Sequence, residues 1–523
     1  MPSESPTVGT IVRRQTHSRG DHPLLICDSE RVSYADADRL SAQLARGLVG
    51  LGTGKGSHVG LLYPNSVAFV VAMLAAARIG AVVVPFSTFA TARELREQLV
   101  DSDTEILLAA PSFRSHDYVQ RLAETLPGSL LESDERLFDP AAPQLRRVAF
   151  DVSRVRRLAE TVDETLLAAM EDDVTGSDPL AIVYTSGTTS APKGVLHTHA
   201  GLLDHQRNLN AIRNLTVADT LFCNSPFFWI GGFGFALLAT LIAGATLVCS
   251  TADDPAQTLD LLEAERPTVT NGFAAGIRTL ARHPSFAGRD LSSMRRGNLY
   301  PIMAPEARPA DPELRHNMLG LTEAGSVALI SADESDQPEH RRGSFGQPAP
   351  GLEAKIIDPD TGRPVEDGTL GELCIRGPCL MQRYHKRSRE ECFDADGWLH
   401  TGDLAATDSD GFVYYIGRRG SMIKTAGANV SPGEVEQAIA MVTGGAAAHV
   451  FGIPDPERGQ VVAAVVALDD GAELDETRLG RQLAAELSVY KIPRRFAVLP
   501  TSEIPLLASG KPDVQQLKRL FDA

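Results

Sequence analysis

Cysteine is scarce and unpatterned. Six occur in 523 residues, at 27, 223, 249, 374, 379 and 392, and no two form a Cys-x-x-Cys pair. No His/Cys cluster has zinc spacing, so a disulfide scaffold and a structural zinc module are both excluded. The expectation is reduced, partly buried thiols in a cytoplasmic protein. Basic charge is also short: 50 Lys and Arg stand against 67 Asp and Glu, a formal net charge of −17. That balance argues against a nucleic-acid partner and against an anionic membrane surface. An anionic ligand would have to be drawn in by local donors and a metal ion. There is no internal repeat and no low-complexity tract. Met1 to His22 is polar, carries Arg13, Arg14 and Arg19, and lacks an apolar core, so no signal peptide is expected. The uncharged run Ile230 to Cys249 could span a bilayer by length. It holds Gly231, Gly232, Gly234 and Gly244 and has no basic flank, which predicts a buried helix, a Gly-Ala turn and a core strand over Thr246 to Cys249.

Apolar residues make up 43% of the chain and charged residues 22%, the balance of a folded globular protein. The length exceeds what one core supports, so two or more domains are expected. Between Val32 and Ser87 the pattern alternates. Ala35 to Val49 and Ser66 to Arg78 read as helices, His58 to Tyr63 and Ala81 to Pro85 as strands. Strands separated by helices predict an α/β fold with a parallel sheet covered on both faces. Residues 100 to 175 carry little pattern beyond a strand at Glu105 to Ala109. From Gly351 shorter strands appear (Ala354 to Ile357, Gly371 to Arg376, Gly411 to Ile416), which predicts a small β-rich subdomain. A compact α+β unit follows: helix Ser431 to Met441, strands Ala447 to Phe451 and Val461 to Leu468, helix Glu476 to Leu487, strand Arg495 to Val498. The domains are placed at 1–417 and 418–523.

The densest chemistry lies in Tyr184-Thr-Ser-Gly-Thr-Thr-Ser-Ala-Pro-Lys-Gly-Val195, after an apolar run. Small residues let backbone amides approach phosphate oxygens, and hydroxyls with an ammonium add donors. A Walker A loop is excluded, because Lys193 is followed by Gly194 and not by Ser or Thr. The segment resembles the phosphate loop of the adenylate-forming superfamily: acyl-CoA synthetases, luciferases and adenylation domains of nonribosomal peptide synthetases. Among these the AMP-forming acyl-CoA and aryl-CoA ligases are the nearest in pattern. Further motifs follow in the family's order: Leu319-Gly-Leu-Thr-Glu323, Gly397-Trp-Leu-His-Thr-Gly-Asp403, Gly417-Arg418, Lys424 to Glu436, and Ser509-Gly-Lys511.

The resemblance implies two parallel-type sheets in the large domain and a mobile small domain hinged near Ser421. It implies nucleotide contacts from Thr185, Ser186, Gly187, Thr188, Thr189, Ser190, Lys193, Leu319, Gly320, Thr322, Asp403, Arg418 and Lys511. Glu323 would be the Mg²⁺ ligand, since Mg²⁺ favours one or two protein carboxylates plus phosphate oxygens. Asp403 would accept both ribose hydroxyls. Lys511 would be the catalytic cation bridging the attacking carboxylate and the α-phosphate. Thr322 would contact the α-phosphate. Lys424 and Gly427 would line a thiol tunnel. The implied cofactors are ATP, Mg²⁺ and CoA. The implied partner is a small carboxylic acid, with a carrier protein as a possible acceptor, and the assembly a monomer or homodimer.

Several positions depart from the family pattern. Ser190 replaces a loop glycine, Leu319 an adenine-stacking aromatic residue, and Ser421 a hinge Asp or Lys. Trp229 stands where many relatives have His, and Arg295 to Pro305 lacks the usual Gly-Gly-Ala-Pro. Trp229, Gly231, Asn298 and Tyr300 are the substrate-pocket candidates. Two alternatives to a CoA ligase stay open here. One is an adenylating enzyme with another partner, by carrier loading or by ATP- and nitrite-dependent diazotisation of an aryl amine. The other is a degenerate nucleotide-binding scaffold.

Overall fold

Helices begin where a short polar side chain can accept the free amides of a first turn. Ser33 caps Tyr34–Gly50, Ser66 caps Val67–Arg78, and Thr91 forms a capping box with Glu94 on Ala92–Asp101. The computed structural model describes residues 6–126, 131, 136–185, 193–418, 423–425, 428–430, 432–456, 458–468, 474–487, 491–507 and 510–522. Ser186, Gly187, Thr188, Thr189 and Ser190, the hinge position Ser421, Gly427 and Ser509 lie outside the described residues, as do the side chains of Arg418 and Lys424.

Two compact units form: Met1–Glu353 with Arg376–Asp396, and Ala354–Ile375 with Gly397–Ala523. In the first unit, a seven-stranded sheet runs in the order Arg383–Tyr384, Gly194–Thr198, Pro179–Tyr184, Val82–Pro85, His58–Leu62, Ile106–Ala109, Arg147–Ala149. Its pairings from Pro179–Tyr184 to Arg147–Ala149 are parallel; the two at the other end are antiparallel. Every residue of Val82–Pro85 is buried, as both-face cover requires. A six-stranded sheet has the order Arg296–Gly297, Val269–Asn271, Thr220–Cys223, Thr246–Cys249, Pro23–Cys27, Glu30–Ser33, parallel except at the last pair. The α/β class with two largely parallel sheets is therefore as expected.

The run from Ile230 is buried inside this unit. A helical turn, Ile230–Gly232, passes through a π-helical stretch, Phe233–Leu238, into Ala239–Ala243. Gly244, at φ 71°, ends it in the left-handed region, and Thr246–Cys249 follows as a buried strand. Among the described residues no helix is long and apolar enough to cross a membrane.

The region from 100 to 175 is more structured than its pattern suggests. It holds helices Tyr118–Thr125, Val152–Arg157 and Glu164–Asp173, capped by Asp117, Asp151 and Asp163. At 8, 6 and 10 residues, each is shorter than the sequence windows in which a helical period is read.

In the second unit, strands Glu353–Ile357, Gly371–Arg376, Leu399–Thr407 and Val413–Arg418 form a four-stranded sheet. A further sheet is built on Ala447–Asp455 and Gly459–Leu468, with Arg495–Pro500 parallel to the latter. Helices Pro432–Val442 and Glu476–Glu486 pack on one face of it through Val435, Ile439, Leu479 and Leu483. Leu517 and Phe521 cover the other face.

A charged network is buried in the first unit. The Arg78 side chain, 5% exposed, pairs with Glu171 and reaches Asp38 at 2.8 Å and Ser41 Oγ at 2.8 Å. Glu171 also pairs with Arg13. Removing one member of such a set leaves the other charge uncompensated. Glu171→Ala is expected to cost about 3–5 kcal/mol of stability; an unchanged urea midpoint would contradict this.

Candidate functional site

The phosphate-type segment is flanked by two strands that pair with each other. Its entry strand Pro179–Tyr184 pairs antiparallel with its exit strand Gly194–Thr198, Tyr184 opposite Gly194. At its base the Thr185 amide donates to the Lys193 carbonyl at 3.0 Å. The exit strand pairs on its other side with Arg383–Tyr384, and Val195 faces Tyr384. Two anchors fix the flanks: Tyr184 Oη donates to Asp101 Oδ2 at 2.7 Å, and His385 Nε2 lies 3.1 Å from Asp103 Oδ2.

Tyr384 joins three elements. Its hydroxyl donates to Glu323 Oε1 at 2.8 Å, and Lys193 Nζ sits 4.9 Å from its ring centroid. The Met381 amide donates to the Glu323 carbonyl at 2.8 Å. Lys193 and Glu323, predicted from separate motifs, are thus gathered around one phenol that sequence reasoning missed. Tyr384 lies outside the quoted motifs, and a lone tyrosine in Gln382-Arg-Tyr-His385 has no local signal of this role.

Thr322 and Glu323 occupy a tight turn, Thr322–Ala324, closed by Gly325 at φ 72°. The turn links Leu319–Leu321 to the buried strand Ser326–Ile330. Leu319 is buried opposite Leu329, and Gly320 is exposed. Buried side chains hold the turn from beneath. His197 Nε2 lies 2.8 Å from the Thr322 carbonyl and His205 Nε2 2.9 Å from that of Val327. A carbonyl can only accept, so both rings carry their proton on Nε2. Gln206 donates from Nε2 to the Gly325 carbonyl at 2.9 Å and accepts from Ser326 Oγ at 3.0 Å. His199 accepts the Val8 amide at Nδ1, 3.2 Å away.

The pocket candidates separate into two groups. A cavity of about 280 Å³ is lined by Asn298 and Tyr300; Trp229 and Gly231 are not among its lining residues. Asn298 also serves the backbone, bonding Gly272 through both amide atoms at 2.9 and 3.1 Å. Trp229 is half-buried in an aromatic row, with ring centroids 5.6 Å from Phe228 and 5.0 Å from Phe273.

In the second unit, Asp403 is buried on Leu399–Thr407, paired in register with Arg418. Glu372 Oε1 accepts the Gly402 amide at 3.0 Å, which fixes the turn before Asp403. Lys424 belongs to the strand Ile423–Thr425. Lys511 is exposed, and its carbonyl accepts the Leu507 amide at 2.7 Å. All six cysteines are free, five of them buried.

This arrangement has known counterparts. The AMP-binding enzyme family matches residues 12–385, and the AMP-binding enzyme C-terminal domain matches 434–511. Feruloyl-CoA synthase of an Amycolatopsis species is 31% identical over 94% of this chain and 94% of that protein. 4-Coumarate–CoA ligase 5 of Oryza sativa subsp. japonica is 30% identical over 98% and 94%. The crystal structure of ATP-bound MatB from Rhodopseudomonas palustris superposes with a TM-score of 0.81 at 25% identity, covering 99% of each chain. The chain belongs to the AMP-binding enzyme family. Within it, the protein is an AMP-forming ligase of the acid–thiol type.

Burial holds His197, His199 and His205 neutral, each pushed down to about 4 from 6.5. Unfolding frees them to protonate near 6.5, so the stability they contribute is full above that pH and is lost as pH falls toward 4. Urea unfolding should weaken from pH 7 to pH 5 by up to about 1.4 kcal/mol per pH unit for each histidine. Constant stability across that interval would contradict the neutral assignment.

Proposed function

We propose that the protein activates a small carboxylic acid, aromatic or aliphatic, with ATP and passes the acyl group to CoA. In the first half-reaction a carboxylate oxygen attacks the α-phosphorus of ATP, forming acyl-AMP and releasing pyrophosphate. In the second, a thiol sulfur attacks the acyl carbon, forming the thioester and releasing AMP. The observation that carries this reading is the meeting of Lys193 and Glu323 on Tyr384 beside the phosphate-type segment.

Each residue has a chemical task. Lys193 and the loop residues Thr185 to Ser190 supply donors to the polyphosphate. Glu323 fits a Mg²⁺ ligand: Tyr384 holds Oε1, and Oε2 has no hydrogen-bond partner among the described residues. Mg²⁺, when bound, neutralises phosphate charge. Thr322 contacts the α-phosphate, and Leu319 and Gly320 lie against adenine. Asp403 binds the ribose hydroxyls, with Arg418 beside it in register. Lys511 offsets the repulsion between the two anions that must react. Lys424 and Gly427 line the thiol's approach. Trp229, Gly231, Asn298 and Tyr300 surround the acid. The boundary between catalytic domains is placed at 417/418, the location in the cytoplasm, and the assembly as monomer or homodimer.

Purified protein with Mg²⁺, ATP, CoA and a panel of acids should release AMP and form acyl-CoA. Release of AMP that requires nitrite and an aryl amine, with no need for CoA, would replace this reading by diazotisation. Acceptance of a carrier-protein thiol in place of CoA would relocate only the second step. Lys511→Ala should abolish adenylate formation yet spare thioester synthesis from supplied acyl-AMP; equal loss of both halves would refute its role. Tyr384→Phe removes the hydrogen bond and keeps the ring. It should weaken binding of Mg²⁺ with ATP, read by calorimetry, by about 10–100-fold, and unchanged binding would remove Tyr384 from the site.

A further inference from the structure

The 280 Å³ cavity lies at the open edge of the six-stranded sheet, beside Arg296–Gly297. Its walls include deeply buried residues: Phe235 is 4% exposed, Asn271 7% and Met303 2%. Two polar side chains there carry groups with no hydrogen-bond partner among the described residues, one of them a buried atom. Asn271 ends the strand Val269–Asn271, and its side-chain amide has no hydrogen-bond partner among the described residues. Arg213 follows the helix His199–Ile212 and lies over the Phe235 ring, 3.9 Å from its centroid. It donates to the Phe235 carbonyl at 2.7 Å and to Asn210 Oδ1 at 3.1 Å, and its buried Nε has no partner.

The other arginines of the cavity each reach a carboxylate. Arg295 and Arg296 both reach Asp219 at 3.1 Å, and Arg315 reaches Asp336 at 2.6 Å. Arg213 has no carboxylate partner among the described residues. Glu306, Asp333 and Glu334 also line the cavity and are exposed, and Ser335 and Gln337 donate to the Asp333 carboxylate. Burial, opposed by Cys223 and aided by Arg296, pulls the Arg213 guanidinium down to about 9, so it is still cationic at neutral pH. A half-buried cation bonded only to neutral oxygens, lining the same cavity as an amide with no partner among the described residues, supplies donors to a chamber whose walls mix apolar with polar and charged side chains.

We propose that this cavity holds the far end of the acid substrate, and that Arg213 and Asn271 read an acceptor oxygen carried there. The proposal rests on the ligase reading above and adds the class of acid: one with a second oxygen function, a carbonyl or a carboxylate, remote from the group that is activated. A plain alkyl end would leave both donors unpaired, which is the situation that gives polar pockets their selectivity.

Octanoate, 7-oxooctanoate and suberate share a chain length and end in a methyl, a ketone and a carboxylate. With AMP release as the readout, kcat/KM for at least one oxygen-bearing acid should exceed that for octanoate by about tenfold, as one buried hydrogen bond allows. Preference for the ketone alone identifies a neutral acceptor, and for suberate alone an anionic one. Arg213→Gln should bring the ratio to within about twofold, and Arg213→Lys, which keeps the charge, should restore part of it for suberate. A preference that survives Arg213→Gln, or octanoate equal to the best acid in the unaltered protein, overturns the proposal. Calorimetric binding of the same acids to the unaltered protein, without ATP, separates the two readings. Selective binding without AMP release overturns the ligase reading and upholds the cavity. AMP release without selectivity does the reverse.

Discussion

The turn Thr322–Gly325 is held by its backbone, and the site depends on that grip. Three carbonyls, of Thr322, Gly325 and Val327, are met by side chains from the strand and helix that follow the phosphate-type segment. Inside a protein such carbonyls must be paired, and a neutral imidazole or an amide pairs them without bringing charge into the core. The same chain segment therefore supplies the loop lysine at one end and the supports of Glu323 further along.

Two chemistries meet across this turn. On one side Glu323 faces Tyr384 and Lys193, where charge is concentrated and partly open to solvent. Beyond it, Met318, just before Leu319–Leu321, and Ile330, the last residue of Ser326–Ile330, line the cavity that Arg213 also borders. The π-helical stretch Phe233–Leu238 brings Phe235 into that chamber. Widened helical turns are commonly found at functional sites, since they re-aim a side chain without ending the helix.

Much of the architecture was legible beforehand. Tyr34–Gly50, Val67–Arg78, His58–Leu62 and Val82–Pro85 fall within a residue or two of their expected bounds, because caps, periodicity and continuous β-branched runs all agreed. The helices between 118 and 173 were illegible, being short, charged and held by tertiary packing. Of the candidate site residues, Lys193, Thr322, Glu323 and Asp403 stood out in the sequence because each sits in a dense motif. Tyr384 did not, since its role comes from strand register with Val195 and not from its neighbours in sequence.

The sequence alone determined the α/β class and the family, because the motifs place particular residue types in a particular order. Only the tertiary structure decided which phenol joins the lysine to the carboxylate, that Asn298 and Tyr300 border one cavity without Trp229 and Gly231, and that Arg213 lies there with no carboxylate partner among the described residues. Those facts depend on pairings between segments far apart in the chain, where burial and register set what each side chain can reach.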